Sequence, residues 1–405
     1  MTRRRIPRWA DLSPYLQVEP IRGSAVDRRL AGAASIDDLR DVARRHTPRA
    51  VFDYVDGGAE RELSLARSRA AFDSVEFMPR VLRDVSNASP ATTILGRPAG
   101  MPLVFAPTGF TRLMHHEGEL AVARVAHRAG IPYALGTVGT TTPEALAEGD
   151  PGGNHWFQLY VWRDRGISQE LVLRARDAGF GTLILTADTP VGGARLRDLR
   201  SGFTIPPSLR VGTIADIAVH PGWWFNLLTT EPLRFATPRG FHGTAADLMD
   251  RVFNPSLTLD DIEWLRGLWP GSLVVKGLQH PADALAVVER GADAVIVSNH
   301  GGRQLDRVVT PLEQLPRVLE SVGGRAEVFM DGGVMSGADV IAAVAMGARA
   351  CLVGRAYLYG LMAGGERGVE RATEIMQRGM IRTMKLLGAS SIDELTPEHA
   401  RLRGR

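Results

Sequence analysis

Polar and charged residues recur directly after short apolar runs in this sequence. They follow seven of eight such runs and comprise Pro107-Thr108-Gly109, Gln158, Tyr160, Thr186, Asp188, Lys276, Ser298-Asn299-His300-Gly301-Gly302-Arg303, Asp331-Gly332-Gly333 and Gly354-Arg355. A lone His or Asp in such a place is usually structural, whereas a set repeated on seven elements indicates a binding or catalytic site. An imidazole suits proton transfer near neutral pH. A guanidinium fork matches a carboxylate.

The elements that must position these residues are short β-branched or apolar runs separated by helix-length segments. The runs are Leu103–Ala106, Tyr133–Gly136, Trp156–Tyr160, Thr182–Thr186, Leu273–Lys276, Ala294–Ser298, Glu327–Met330 and Ala350–Val353. Continuous apolar runs indicate strands buried on both faces, and alternation with helices indicates parallel pairing. Eight β–α units predict an α/β fold of the (β/α)8 TIM-barrel type, in which residues just after the strands form the active site. An open, doubly wound sheet shares the same local pattern.

The pattern also predicts the domain organisation. Residues 1–35 are expected to form an irregular basic N-terminal arm, residues 36–395 a single TIM-barrel domain, and residues 396–405 a C-terminal tail. Ser35 is a plausible N-cap of a helix over Ile36–Arg45, and Pro48 begins a second helix that reaches Tyr54. The long gap after the fourth strand predicts an insertion over residues 190–255 above the catalytic end of the barrel.

Composition excludes several classes of protein. The formal net charge is only +3 and basic residues are interleaved with acids, which gives no support to nucleic-acid binding. A single cysteine, Cys351, excludes a disulfide framework or a thiolate metal cluster. The basic N-terminus continues into polar residues, and no run approaches the roughly 20 apolar residues that span a bilayer. We therefore expect a cytoplasmic protein, with peripheral membrane contact still open.

The segment Val297-Ser298-Asn299-His300-Gly301-Gly302-Arg303-Gln304-Leu305-Asp306 resembles the signature of the FMN-dependent 2-hydroxy-acid oxidising family, which includes glycolate oxidase, lactate oxidase and dehydrogenase, and mandelate dehydrogenase. Other blocks resemble the family in the same order: Phe52-Asp53-Tyr54, Phe157-Gln158-Leu159-Tyr160, Leu185-Thr186-Ala187-Asp188-Thr189-Pro190 and Val275-Lys276-Gly277. The resemblance covers about residues 35–395, and the basic arm and a Trp-Trp insertion are similar to actinobacterial-type L-lactate dehydrogenases.

This resemblance implies FMN as the cofactor and a small 2-hydroxy acid as the substrate. His300 would be the catalytic base and Asp188 its partner. Arg195 and Arg303 would bind the substrate carboxylate. Tyr54 and Tyr160 would hydrogen-bond the carboxylate and the reacting oxygen. No metal is expected.

The resemblance also implies which residues hold the cofactor. Lys276 would face the flavin edge on which charge builds during reduction. The other ring contacts would come from Gln158, Thr186, Ser298 and the backbone of Pro107, Thr108 and Gly109. The phosphate would lie on Gly332, Gly333, Gly354 and Arg355, next to Asp331.

Two positions depart from the family pattern. Met335, followed by Ser336, stands where many members have an arginine two residues after the Asp-Gly-Gly block. Gly136 replaces a serine that contacts the flavin. Arg355 and backbone amides must then carry most of the phosphate charge, which predicts weaker retention of FMN.

Other functions fit the sequence less well. A flavin-dependent isomerase needs no carboxylate-binding arginines, and a nicotinamide dehydrogenase would need a G-x-G-x-x-G after a strand. His115-His116-Glu117 lacks the spacing of metal ligands and predicts a loop followed by a helix. A catalytically dead flavin-binding or membrane-scaffold protein would not need the intact His300, Asp188 and Arg303.

The sequence leaves the substrate side chain, the electron acceptor and the hydride or carbanion mechanism open. L-Lactate is favoured by resemblance, while Val138 and Gly109 leave room for mandelate or a longer acid. Glycine at 109 occurs in several relatives that work as dehydrogenases or monooxygenases, whereas many oxidases carry alanine. Quinone or another carrier is therefore favoured over oxygen as acceptor. Trp223-Trp224-Phe225 and Leu227-Leu228 predict either a membrane anchor or a lid, and the family implies a homotetramer.

Overall fold

The computed structural model describes residues 6–15, 23–203, 211–231 and 252–404. Its strands are β1 (Val75–Phe77), β2 (Thr92–Ile94), β3 (Arg97–Ala99), β4 (Leu103–Phe105), β5 (Tyr133–Gly136), β6 (His155–Leu159), β7 (Thr182–Thr186), β8 (Ser272–Leu278), β9 (Ala294–Val297), β10 (Glu327–Asp331), β11 (Cys351–Val353) and β12 (Ala400–Leu402). Strands β4 to β11 pair in parallel in chain order, and β11 returns to β4 to close the barrel. The predicted (β/α)8 barrel is therefore confirmed, and each barrel strand coincides with a predicted run to within two residues.

The helices of the described residues are α1 (Trp9–Leu12), α2 (Ala25–Ala31), α3 (Ile36–His46), α4 (Arg49–Asp56), α5 (Leu63–Asp73), α6 (Thr111–Met114), α7 (Gly118–Arg128), α8 (Pro143–Gly149), α9 (Arg165–Asp177), α10 (Leu196–Ser201), α11 (Val211–Ala218), α12 (Pro221–Thr229), α13 (Asp260–Leu268), α14 (Pro281–Glu289), α15 (Pro311–Val322), α16 (Gly337–Ala345) and α17 (Arg355–Leu387). Ser35 caps α3 by accepting from the amide of Asp38, as its sequence position predicts. The long α17 is broken at Gly364 and Gly365, whose dihedral angles are not helical.

Alternate residues of the strands fill the inside of the barrel. Their apolar side chains are Val104, Ala134, Trp156, Ile184, Val274, Ile296, Phe329 and Leu352, and all are buried. Ile94 and Ala99, from the β2–β3 hairpin, belong to the same cluster. The interior is thus packed solid, as in other TIM barrels, which leaves the site to the loops that follow the strands.

Short regular elements lie within the described parts of the predicted arm and tail. Helix α2 lies within the stretch expected to be irregular, and Ser24 caps it. Strand β12 pairs antiparallel with β1. Both elements are short, and each packs through a pair of apolar residues: Val26 and Leu30 on α2, and Ala400 and Leu402 on β12.

One irregularity in the barrel has direct consequences for the site. The β8–β9 register shifts between Lys276 and Leu278, and Gly277 between them has a φ of +102°. A Cβ atom at Gly277 would lie 2.6 Å from Cγ of Asp188. Glycine therefore lets β8 bulge and lets the loop after β7 bring its carboxylate next to Lys276.

Candidate active site

A cavity of about 490 Å³ lies at the carboxyl ends of the barrel strands. It is lined by almost all of the residues that the sequence singles out: Tyr54, Pro107, Thr108, Gly109, Gln158, Tyr160, Thr186, Arg195, Lys276, His300, Arg303, Asp331, Gly332, Gly333, Gly354 and Arg355. Asp188 and Ser298 lie behind this wall and bond to residues that line it. One cavity therefore brings together residues that are far apart in the sequence.

His300 and Asp188 form a hydrogen-bonded pair. His300 has a φ of +56°, an uncommon value for a side chain other than glycine, and its amide donates to Oγ of Ser298 at 3.0 Å. Its Nδ1 lies 3.0 Å from Oδ1 of Asp188. Burial works against the charged carboxylate, but His300 and Lys276 outweigh burial and lower the pKa of Asp188. An ionised Asp188 accepts from Nδ1, so Nε2 of the neutral ring is left to accept a proton.

Lys276 is buried at the centre of a second polar group. Its Nζ lies 2.8 Å from Oδ2 of Asp331 and donates to Oγ of Ser298, also at 2.8 Å. Burial disfavours the ammonium, but Asp331 and Asp188 outweigh it and raise the pKa of Lys276. Ser298 thus accepts from both Lys276 and the amide of His300, which holds the two functional side chains in a fixed relation.

Two arginines share the outer part of the cavity with a tyrosine. The guanidinium carbons of Arg303 and Arg195 lie 4.8 and 6.0 Å from the centre of the Tyr54 ring. Burial lowers the pKa of Arg303 to about 9, and the guanidinium groups of Arg195 and Arg355 act in the same direction. Nε of Arg195 is buried without a hydrogen-bond partner. This wall is rich in positive charge and therefore favours an anionic ligand.

Aromatic contacts hold this wall in place. Tyr54 stacks on Phe203 with ring centres 4.5 Å apart and meets the edge of Phe110 at 5.9 Å. Burial and the nearby Asp188 raise the pKa of Tyr160 well above its ordinary value, so its hydroxyl remains a hydrogen-bond donor. Sequence reasoning missed Phe203, which lies just beyond α10. The sequence offers one indication of Phe203: it follows α10, the short helix that begins directly after Arg195.

A chain of hydrogen bonds runs across the barrel mouth on the other side. Nε2 of Gln158 donates to Oγ1 of Thr186 at 3.0 Å, and the amide of Thr137 donates to Oε1 of Gln158 at 3.2 Å. Thr108 bonds the hydroxyl of Tyr357 at 2.8 Å. Thr137 was not among the predicted residues, although it directly follows β5.

The far end of the cavity is formed by glycine loops and arginines. Gly332 and Gly333 have φ values of +91° and +86°, and Gly354 precedes α17. The guanidinium of Arg355 donates to the carbonyl oxygens of Val55, Gly57 and Gly301 at 2.7 to 2.9 Å. Arg69 and Met335 also line this end of the cavity. Arg69 is paired with Asp339, whereas no carboxylate partner is found for Arg355 among the described residues.

An ion-pair network that the sequence did not reveal joins α4 to α10. The carboxylate of Asp56 accepts from Arg40, from Arg197 at 2.7 Å and from the hydroxyl of Tyr359 at 2.8 Å. Arg197 also pairs with Glu62. Arg197 lies two residues after Arg195, so this network fixes the start of the helix that carries Arg195.

The insertion helix α12 presents two different faces. Trp223 packs against the core, and its Nε1 donates to the carbonyl oxygen of Leu113 at 2.8 Å. Phe225 and Leu228 are exposed by 58% and 74%. Within the described ranges, none of the helices combines the length and the apolar character needed to cross a bilayer.

Known proteins share the sequence pattern and the fold of this chain. The model of a family described as FMN-dependent dehydrogenase matches residues 43–402. A Mycobacterium tuberculosis protein named "Putative L-lactate dehydrogenase" is 54% identical over 98% of this chain and 96% of its own. A Nostoc L-lactate oxidase is 39% identical over 90% of this chain and 97% of its own. The crystal structure of the monotopic membrane protein (S)-mandelate dehydrogenase has a TM-score of 0.88 at 38% identity, covering 92% of this chain and 100% of that one.

Proposed function

Because the chain belongs to the FMN-dependent dehydrogenase family, we propose that it oxidises an L-2-hydroxy acid, with L-lactate as the main substrate and pyruvate as the product. One observation carries this proposal: the His300–Asp188 pair and the Arg195–Arg303 pair line or support the same cavity. The first pair accepts a proton, and the second binds a carboxylate. A 2-hydroxy acid carries both of the groups that these pairs recognise.

The residues at the barrel mouth fit FMN. The cavity volume of about 490 Å³ lies in the range of roughly 300 to 1,000 Å³ that is usual for cofactor sites. Gln158, Thr186 and Lys276 offer the donors and acceptors that a flavin ring needs, and Pro107-Thr108-Gly109 offers backbone. Ser298, which the sequence also suggests as a ring contact, lies behind the wall and holds Lys276 in place. Gly332, Gly333, Gly354 and Arg355 form the end suited to the phosphate, next to Asp331, whose charge is balanced by Lys276. FMN, when bound, supplies the acceptor for two electrons from the substrate.

The residues of this chain perform the other steps. Arg195 and Arg303 bind the carboxylate, and their fork-shaped groups fix its orientation. Tyr54 and Tyr160 add hydroxyl donors at the carboxylate and the reacting oxygen. His300 accepts the proton at Nε2, and the ionised Asp188 stabilises the imidazolium that results. Lys276 would hold a positive charge at the inner wall, where it would stabilise a cofactor edge that gains negative charge.

His300→Gln tests the proposal. The variant keeps the fold and bound flavin, because the His300 side chain bonds Asp188 rather than the core. We expect L-lactate to reduce the flavin in the variant more slowly by several orders of magnitude, since general base catalysis alone contributes about 10²–10⁴. Anaerobic bleaching of the flavin absorbance measures this rate. A variant that is reduced within tenfold of the wild-type rate would show that another group takes the proton.

The substrate side chain is expected to lie near Gly109, Val138 and Phe253, which line the cavity. A Cβ atom at Gly109 would lie 2.6 Å from Cγ2 of Val138, so the two positions share one space. We propose that this wall packs against the methyl group of L-lactate, since Val138 already fills the space beside Gly109. The kcat/KM values for L-lactate, 2-hydroxybutyrate and (S)-mandelate rank these substrates. A higher value for (S)-mandelate would reassign the substrate.

We propose that electrons leave to a quinone or another respiratory carrier at a membrane surface. The exposed apolar residues of the insertion, Val211, Ile214, Val219, Phe225 and Leu228, support this proposal. So does the likeness to a monotopic mandelate dehydrogenase. The alternative is an oxidase that uses oxygen, which the similarity to an L-lactate oxidase supports. Faster turnover in air-saturated buffer than with a soluble quinone analogue would favour the oxidase.

Membrane docking has its own test. Phe225→Ser/Leu228→Ser removes exposed apolar surface from α12 and should weaken binding to vesicles of phosphatidylcholine about tenfold or more, because each buried side chain contributes about 1.5–3 kcal/mol. Leu82→Ser is the control, since Leu82 is at least as exposed but lies outside the insertion. Equal vesicle binding by the double variant and the wild type would exclude docking through α12.

A further inference from the structure

A second cavity, of about 800 Å³, lies on the other side of Met114 from the first. Helices α2 and α3, the turn between α6 and α7, and α12 contribute to its wall. The basic and imidazole side chains of that wall include Arg29, Arg45, His46, His115, His116 and His220. None of them has a role in the proposed oxidation.

Several of these polar groups point to a ligand. Nε of Arg29 and Nδ1 of His116 are buried and have no hydrogen-bond partner. His46 and His220 use Nδ1 to bond the carbonyl oxygens of Val42 at 2.9 Å and Asp216 at 2.7 Å. Within the described residues no hydrogen bond is found for Nε2 of either ring. The wall therefore offers donors from several elements.

The charge of this wall is predominantly positive. Burial lowers the pKa of His46, and Arg29, Arg45 and His220 act in the same direction. The two carboxylates on the wall already have partners, and Oε2 of Glu117 also lies 3.7 Å from Nδ1 of His115. Oε2 of Glu117 accepts from the amide of Glu366 at 2.6 Å, and Glu366 pairs with Arg128 at 2.8 Å. The cavity therefore attracts an anion.

A cation is the competing ligand, because side-chain ligand atoms of His115, His116 and Glu117 lie within 4.8 Å of one another. The neighbouring guanidinium argues against it. Burial lowers the pKa of His115 to about 3 together with His116 and Arg29, so Arg29 lies close enough to act on this ring. A divalent cation at this position would meet the same repulsion, since like charges at short range oppose each other.

The position of the cavity identifies the source of the anion. Gly222, Trp223 and Asn226 of α12 face the cavity, whereas Phe225 and Leu228 on the opposite side of the helix are exposed. An interfacial helix buries its apolar face by about 5–10 Å and is itself about 10 Å wide. The cavity would then open at the level of the lipid phosphates.

We propose that the cavity binds the phosphate group of an acidic phospholipid. This inference rests on the membrane docking proposed above and adds a headgroup preference to it. Arg29 and Arg45 supply the charge, and the imidazoles supply further donors. A charge-assisted hydrogen bond contributes about 1.5–3 kcal/mol, so each arginine should raise vesicle affinity about tenfold or more.

The test compares two charge-matched double variants of the FMN-loaded enzyme. Arg29→Gln/Arg45→Gln changes the cavity, and Arg28→Gln/Arg44→Gln changes the preceding, exposed arginine in each helix, neither of which lines it. Binding is measured on vesicles of phosphatidylcholine, with and without phosphatidylglycerol. We expect the affinity of the first variant to fall about a hundredfold for the mixed vesicles and only slightly for vesicles of phosphatidylcholine alone. The affinity of the control variant for the mixed vesicles should fall by no more than about tenfold, because its two exposed arginines contribute only general attraction to an acidic surface.

Vesicle binding by the two double variants and by the wild type distinguishes the possible ligands of the cavity. An equal decrease of vesicle affinity in the two double variants would mean that the arginines act only through general surface charge, and it would overturn the proposal. Wild-type binding that does not increase with phosphatidylglycerol would also overturn it, while docking through α12 would stand. Soluble glycerol phosphate that stabilises the wild type, without any preference for acidic vesicles, would assign the cavity to a soluble anion. Unchanged melting temperatures in both variants show that the fold is intact.

Discussion

Asp188→Asn isolates the electrostatic contribution of one carboxylate to proton transfer. Asp188 does not line the cavity, and its Oδ1 lies 3.0 Å from Nδ1 of His300. The asparagine is nearly isosteric and removes only the charge. We expect the variant to bind L-lactate almost normally and to reduce its flavin slowly, because the imidazolium that forms during the reaction loses its counter-charge.

The geometry sets the size of the effect. Two unit charges about 4 Å apart interact by about 4 kcal/mol at an effective dielectric constant of about 20. The amide oxygen of asparagine recovers a part of this by accepting from Nδ1. The transition state for proton transfer should therefore lose about 3–4 kcal/mol of stabilisation, which corresponds to a decrease of about 10²–10³ in the rate of flavin reduction.

Anaerobic stopped-flow mixing with saturating L-lactate measures this rate in a single turnover. The control is Asp198→Asn, since Asp198 is also a buried carboxylate but faces Arg195 and Arg303 rather than His300. That variant should alter KM more than the rate of reduction. A rate for Asp188→Asn within tenfold of the wild type would refute the role of Asp188 in stabilising the imidazolium.

Three further predictions concern other parts of the molecule. Arg303→Lys keeps a charge but loses the fork, so steady-state kinetics should show kcat/KM for L-lactate lower by about tenfold or more, and an unchanged value would place the carboxylate elsewhere. Met335→Arg adds a charge beside the glycine loop, so fluorescence titration should show FMN bound about tenfold more tightly, and equal Kd values would place the phosphate away from Met335. Asp56→Asn should cost about 2 kcal/mol in the free energy of unfolding in urea at pH 7, because Arg40 and Tyr359 help to outweigh burial and lower the pKa of Asp56 from 3.8 to about 2. The charged form stabilises the fold above about pH 4, so the difference should shrink as the pH falls from 4 to 2, and a constant difference would contradict this origin.

The barrel could be predicted because each strand is buried on both faces. A run such as Thr182–Thr186 is uniformly buried, and its sequence is apolar apart from the ends. The carboxyl ends of parallel strands meet at one side, so the positions of His300 and Lys276 follow from the fold class. The local motif then identified the chemistry, and the hydrogen bond between His300 and Asp188 agrees with it.

Contacts that join distant segments could not be predicted in this way. Asp56 and Arg197 are 141 positions apart, and neither belongs to a periodic pattern. Their pairing depends on the path of the loop after β7, which has few apolar residues to fix its course. The same holds for Phe203, whose stacking on Tyr54 becomes visible only when α10 is placed against α4.

The insertion shows why residue type alone is a poor guide to an interface. The two tryptophans attract attention because Trp is common at membrane surfaces, yet Trp223 turns inward and bonds the carbonyl oxygen of Leu113. Helical phase gives the better criterion, since Phe225 and Leu228 are three residues apart and share the exposed face. Leu113 belongs to the short helix that follows Phe110, whose ring contacts Tyr54. Trp223 therefore links the proposed docking helix, through the short helix that follows Phe110, to the ring of Tyr54 in the cavity wall.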